Sequence, residues 1–224
     1  SNGVIKNAVN VPALPPEIAE RIQPYITLAG RLGSLLGQLE QIDVKEIRVT
    51  CTGEAGELGV TPIARSALSG ILSHHLEERV NPVSAPFEAQ DRGIKLVEVK
   101  EPAVRGYGAT VRVTLTGDKG LHTAIGAIGS HGEPRLTGLE GYEMDAQIQG
   151  RMLVMRNKDR PGVIGAVGTV LGKHAINVSR MQLGLDEKTG QALALYTVDH
   201  DVSNESLDEL RSIENVSAVI LVTV

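Results

Sequence analysis

The chain has 224 residues, with 25 Gly but only 4 Tyr, 1 Phe and no Trp. At about 150 residues per domain, that length fits one or two domains and can bury a substantial core. A net charge of −5 and a pI near 5.7 argue against a basic face for nucleic acid, and so few aromatics give bases little to stack on. The single Cys excludes a disulfide scaffold or a Cys-rich metal site and fits a reducing compartment. No segment approaches the ~20 apolar residues of a membrane helix and no signal peptide is read, so a cytoplasmic protein without membrane partners is expected.

Ser1-Asn2-Gly3 reads equally as native sequence or as a cloning remnant. Leu14-Pro15-Pro16 then leads into Glu17–Gln41, where Ile18, Ile22, Tyr25, Leu28, Leu32, Leu35 and Leu36 recur at helical steps with one buried stripe. Pro24 is expected to kink or divide this helix. Val44–Cys51 reads as a strand. Thr61-Pro62 reads as a helix opening, a capping hydroxyl with Pro in the first turn, and the helix runs on through Ile63, Ala67, Leu68, Ile71, Leu72 and Leu76. From residue 94 the texture is strands: Ile94–Lys100, Thr110–Thr116 and short segments between Leu121 and Gln147. The turns between them include Gly117–Gly120 and Gly138–Gly141. Residues 12–148 are therefore expected to form a two-helix, several-strand α+β unit.

The last third, residues 149–224, has the clearest order. Arg151–Arg156 is a strand and Lys158–Gly162 a turn. Val163, Ile164, Val167, Val170 and Leu171 mark one face of a helix. Ile176–Leu185 and Gln191–Asp199 are strands joined by a five-residue hairpin. Ser203 caps a helix that buries Leu207, Leu210 and Ile213, and Val216–Val224 is the final strand. This βαββαβ order makes strands one and two parallel with room for a third between them. A ferredoxin-like sandwich follows, with two helices on one sheet face. Its other face must be covered, because an exposed apolar sheet face invites association.

The turn into the first helix of this unit is the most informative site. Asn157-Lys158-Asp159-Arg160-Pro161 precedes Gly162, and Gly165, Gly168 and Gly172 follow. Glycine inside a helix costs about 0.5–1 kcal/mol relative to Ala, so this density implies close approach of something. Free N–H groups at the helix start suit a carboxylate, and Asp159 suits an ammonium group. Together they describe a receptor for a zwitterionic amino acid. The plainer alternative is that Asp159 caps the helix and the glycines admit close sheet packing. A dinucleotide loop is disfavoured, because the spacing is G-x-x-G-x-x-G and a hairpin interrupts the parallel order. His74-His75, read on a helix, point apart and suit no shared metal. Cys51 reads as a buried small residue. The turn at Gly129–Gly132, with His131 and nearby Arg135, is either an anion contact or an ordinary Gly-rich hairpin.

Asn157–Ile164, followed by Gly172-Lys173-His174-Ala175-Ile176-Asn177-Val178, resembles the opening of an ACT domain, an amino-acid-binding regulatory module. Asn7–Pro12 is similar to the segment closing the catalytic part of D-3-phosphoglycerate dehydrogenases. Gly59–Leu76, Ala85–Ile94 and Gly132–Tyr142 resemble the intervening domain of the long form of that enzyme. The resemblance implies a regulatory half without catalysis of its own, residues 1–11 being the end of a linker or a cloning remnant. It also implies NAD in a catalytic region not present here, with no cofactor in this segment, and a homodimer or homotetramer. By the same resemblance, L-serine binds between ACT domains of two subunits. Asn157, Asp159, Arg160, Pro161, Gly162, Val163 and Ile164 would come from one turn and Asn177 from the neighbour. Asp159 would meet the amine, and the N–H groups near Val163 and Ile164 the carboxylate. Of a basic anion site in the intervening domain only Arg135 matches, with Glu143 and Gln147 where basic residues would be needed; Ser84 replaces an expected Asn. The alternative is a module that only oligomerises.

Overall fold

A computed structural model describes residues 15–39, 43–76, 80–103, 108–118 and 120–224. The expectations for Asn7–Pro12, Leu14, Gln41 and Lys119 fall outside these residues. The first helix, α1 (Pro16–Leu39), buries Ile22, Tyr25, Leu28, Leu32, Leu35 and Leu36 along the anticipated stripe. Pro24 lies inside it and does not divide it, so of the two expected outcomes division does not occur. The lost hydrogen bond costs ~3 kcal/mol. The fully buried side chains on the helix face beyond it each contribute about 1.5–3 kcal/mol, so the packed helix persists.

After α1 come β1 (Val44–Thr52), α2 (Glu54–Leu58), α3 (Val60–Leu72), α4 (Ala85–Asp91) and β2 (Lys95–Glu101), then β3 (Val111–Gly117), β4 (Gly120–Ile128), β5 (Pro134–Leu139) and β6 (Tyr142–Gln147). The two-helix expectation is too small: α2 and α4 are one or two turns long, too short to show a period. The cap of α3 is also not where it was expected. Gly59, at φ 126°, precedes the helix without a side-chain cap, and the Thr61 hydroxyl donates to the Glu98 carboxylate at 2.6 Å. His74 and His75 lie in the turn after α3 rather than on a helix, and His74 Nε2 sits 2.8 Å from the Ser34 hydroxyl. The six strands order β2-β1-β3-β4-β5-β6, with β1 and β2 parallel and the other pairs antiparallel.

Helices α1 and α3 pack backbone to backbone. A Cβ on Gly33 would collide with the Ala67 carbonyl, one on Gly37 would lie 2.8 Å from the Ile71 carbonyl oxygen, and one on Gly70 would strike the Gly30 carbonyl. Small residues thus let two helices meet where Ala would force them apart.

The C-terminal unit follows the expected order: β7 (Arg151–Lys158), α5 (Val163–Lys173), β8 (Val178–Asp186), β9 (Gln191–Val198), α6 (Asn204–Arg211) and β10 (Val216–Thr223). The strands order β10-β7-β9-β8, all neighbours antiparallel, as a ferredoxin-like sandwich requires. Ser203 caps α6, its hydroxyl oxygen accepting the Ser206 N–H at 3.1 Å. One sheet face, with Leu153, Met155, Ala194, Tyr196 and Val219, buries Val163, Val167, Leu171, Leu207 and Leu210 of the helices. The other presents Met152, Val154, Leu193, Leu195 and Val222, which join the core of α1 and the six-stranded sheet. The covering demanded by the sequence is therefore supplied by the same chain. Polar contacts fix the seam. Arg31 donates to the Ile148 carbonyl at 2.9 Å, and the Gln38 amide both donates to the Thr223 carbonyl at 2.9 Å and accepts its N–H at 3.0 Å.

Gly33→Ala is expected to destabilise the chain by about 1–3 kcal/mol through overpacking. That lowers the melting temperature by roughly 3–10 °C for a chain of this size, measured by thermal unfolding. An unchanged melting temperature would contradict the tight helix contact.

Candidate functional site

Strand β7 delivers its last residues into the turn before α5. Pairing continues into that turn: Lys158 N–H donates to the Asn215 carbonyl at 2.9 Å and Asp159 N–H to the Gly190 carbonyl at 2.8 Å. Gly162 precedes the helix in a left-handed conformation, φ 95°, which favours glycine. Neither Asp159 nor any other side chain caps α5, so the capping alternative for Asp159 is not realised. Asp159, Arg160, Pro161 and Gly162 are exposed, as is the Ile164 side chain at 52%, while Val163 is buried. Val163 N–H makes a long 3.4 Å bond to the Arg160 carbonyl, and the Ile164 and Gly165 N–H groups have no partner among the described residues. A carboxylate placed there meets free donors at the positive end of the helix, with an exposed carboxylate alongside.

The glycines along α5 are not packed against the sheet. A Cβ on Gly165, Gly168 or Gly172 would meet nothing within 4 Å, and all three are exposed. Within this chain the close-packing alternative fails for them, so α5 offers a low, open face.

The two asparagines are already engaged. Asn157 is buried, 5% exposed, and its amide donates to the Lys158 carbonyl at 2.8 Å, bracing the turn from beneath. Asn177 is exposed, its amide donating to Asp199 at 2.6 Å. Asn177 lies beyond the far end of the eleven-residue α5, roughly 16 Å along the helix axis from the turn. One copy therefore brings together Asn157 and Asp159–Ile164, but not Asn177. Asp199 was not anticipated: it stands 22 residues from Asn177, and only the pairing of β8 with β9 brings the two together.

Behind α5, Lys173 and His174 both reach Glu209 of α6, at 2.8 and 2.7 Å. The Lys173 ammonium and then His174 hold the Glu209 carboxyl below its ordinary range.

Arg135 is not a free anion contact. Its guanidinium pairs with Asp145 and lies 3.8 Å from Glu133. The Gly129–Gly132 turn wraps that same Glu133, whose carboxylate accepts the His131 N–H at 3.0 Å, so the anion in this turn is the chain's own. Arg135 and Asp145 border a cleft of about 300 Å³ between the two units, together with Gln147, Arg180, Gln182 and Thr197. Cys51 is buried in β1, and burial pushes its thiol up to about 12.

Because Glu209 has a lowered pKa in the folded state, its contribution is present above the unfolded carboxylate value and is lost as pH falls through the folded one. Glu209→Gln should therefore flatten the decline in melting temperature below about pH 4.5. Identical acid-side slopes in variant and parent would sink this assignment.

A family model described as D-3-phosphoglycerate dehydrogenase intervening domain matches residues 21–140, and an ACT domain model matches residues 151–215. Relatives named D-3-phosphoglycerate dehydrogenase include those of Synechocystis, 34% identical over 94% of this chain, and Bacillus subtilis, 30% identical over 97%. A third, from Methanocaldococcus jannaschii, is 32% identical over 97%. The chain spans 38%, 42% and 41% of those three relatives. The matches meet the fold described here, a six-stranded unit followed by a βαββαβ unit, and the chain belongs to the D-3-phosphoglycerate dehydrogenase intervening-domain family, with an ACT domain joined to it.

Proposed function

We propose that this chain is the regulatory region of a D-3-phosphoglycerate dehydrogenase of serine biosynthesis. In this reading its ACT domain binds L-serine as a feedback effector between two copies. The observation that carries it is the turn at Asp159–Gly165. It combines an exposed carboxylate, a left-handed Gly162 and two unpartnered helix N–H groups in one place. These are complementary to the ammonium and carboxylate of a small amino acid.

The geometry also favours a site shared by two copies. Asn177 is at the wrong end of α5 to serve its own turn, and a two-fold related copy running the other way would bring it there. The surface suits such pairing, since among the described residues β8 is an outer strand with only β9 beside it, and the open glycines of α5 lie on the helix side of the same sheet. The opposite edge strand, β10, is engaged by Gln38 at Thr223. NAD and the oxidation of 3-phosphoglycerate belong in this reading to a catalytic region outside the chain.

A second reading, an oligomerisation module without ligand, draws on the engagement of Asn157 and Asn177 within the chain. Sedimentation with and without serine separates the two, because a stable dimer indifferent to every amino acid favours this second reading.

Thermal unfolding with L-serine, D-serine, glycine and L-alanine tests the first. At 100 times its dissociation constant a ligand specific to the native state stabilises by about 2.7 kcal/mol, roughly 5–10 °C for a chain of this size. Asp159→Ala should abolish the L-serine shift while the unliganded melting temperature stays within about 0.5 kcal/mol of the parent, as for an exposed site. No shift with any of the four at millimolar concentration refutes the effector reading.

A further inference from the structure

Glu140 stands where its backbone is disfavoured. It is the first residue of the two-residue turn joining β5 and β6, with φ 53° at Glu140 and 86° at Gly141, and Leu139 pairs with Tyr142 across the turn. Hairpin turns of this hand favour Asn, Asp or Gly at that place. A left-handed backbone costs an ordinary L residue stability, and a residue held there calls for a reason outside its own turn.

The side chain supplies one. Its Oε1 accepts the Thr123 N–H at 2.9 Å, and its Oε2 sits 3.0 Å from His122 Nδ1 and 3.4 Å from Arg156 Nη2. The carboxylate is largely buried, 13% exposed. A carboxylate only accepts, so His122 carries its proton on Nδ1. The His122 Nε2 is buried without a partner, which leaves Glu140 as the one hydrogen-bond partner of that ring among the described residues. Thr123, His122 and Glu140 belong to the six-stranded unit, whereas Arg156 belongs to β7 of the ACT domain. On β7 the side chain of Arg156 follows Met152 and Val154 on the face turned toward the six-stranded unit, and the next residue is Asn157, where the effector turn begins. The same hairpin leans on β8. A Cβ on Gly184 would come within 2.8 Å of the Tyr142 Cβ and 3.0 Å of the Glu143 carbonyl oxygen.

We propose that Glu140 is a positioning residue. Its carboxylate latches the C-terminal end of β7, and with it the Asn157–Gly162 turn, to the intervening domain. A Gly or Asn would suit the turn better and would latch nothing. The proposal stands on these contacts whether or not serine binds.

Thr223 provides the readout, because its N–H donates to the Gln38 side chain across the seam and is protected only while the two units are docked. The experiment is NMR-detected amide exchange of the ligand-free 224-residue chain, comparing the parent with Glu140→Gly, Arg156→Gln and the double variant. Glu140→Gly and Arg156→Gln should each speed Thr223 exchange by about tenfold, the order expected for hydrogen bonds to a charged group. The double variant should fall short of the product of the two single effects, since the Glu140–Arg156 contact is lost in both. Amides inside each sheet, such as those of Val113 and Leu195, should stay slow. Relief of backbone strain alone predicts the opposite sign for Glu140→Gly. Unchanged or slower Thr223 exchange in Glu140→Gly, or single effects that multiply in the double variant, would overturn the latch.

Discussion

The structure depends on the second face of the ACT sheet being covered. Four strands with two helices on one side leave an apolar face on the other, and in this chain it carries Met152, Val154, Leu193, Leu195 and Val222. Burying side chains of that size contributes about 1.5–3 kcal/mol each, so together they outweigh any single polar contact at the seam. Helix α1, packed on β10, and β6, packed on β8 and β9, supply the cover, so the two units share one core instead of meeting across a wet surface. The consequence concerns assembly. Because the face is closed within the chain, another copy does not stack on it. The edges then decide what remains. Gln38 uses its amide as a one-residue strand against Thr223 on β10, whereas β8 has no strand outside it among the described residues. An open edge beside an open helix face is the place for lateral pairing.

Glycine serves opposite ends in the two halves, and composition alone does not separate them. Gly33, Gly37 and Gly70 are where two helices touch backbone to backbone, and an added methyl meets a carbonyl oxygen of the facing helix. Gly165, Gly168 and Gly172 also lie on a helix, yet an added methyl on any of them meets nothing within 4 Å among the described residues. The first set specifies an internal contact and the second leaves a surface low. The sequence reading took the second set as a sign of something approaching closely. The structure shows that the sheet of this chain is not that something.

The ACT half was legible because its signals are long or chemically marked: apolar strands of eight or nine residues, a helix stripe over α5, and a D-R-P-G turn with glycine at its one left-handed position. In the intervening half the long helices and strands β1, β2 and β3 were legible, and the short helices were not. Helix α2 has five residues and α4 seven, less than the window in which a period shows. Thr61-Pro62 carried the expected chemistry of a helix start, but Gly59 made the turn and the hydroxyl found Glu98 instead. Within the site, the residues from Asp159 to Ile164 are contiguous and could be read together. The pairing of Asn177 with Asp199, and of the Gly129–Gly132 turn with Glu133, depended on folded geometry. Arg135 illustrates the same limit: its sequence neighbours suggested an available cation, and the fold places Asp145 against it.

Strand β7, like β9 and β10 beside it, faces both halves of this arrangement. Leu153, Met155 and Asn157 point toward the helices, and Met152, Val154 and Arg156 toward the intervening domain. Adjacent residues of a strand take opposite faces, so the buried amide under the turn before α5 and the guanidinium beside Glu140 are separated by one peptide unit. That unit is held on both sides, since Asn157 pairs with Ala192 of β9 and Val216 of β10. The pairing then continues past the strand through Lys158 to Asn215 and Asp159 to Gly190. Displacing the turn while leaving Arg156 in place would require breaking those ladder bonds, each part of a cooperative sheet. Tilting the strand as a whole breaks none of them, and the contacts it loads instead are those at Glu140. The turn and the latch are thus mechanically one piece, joined by a stretch of β7 that is paired on both sides.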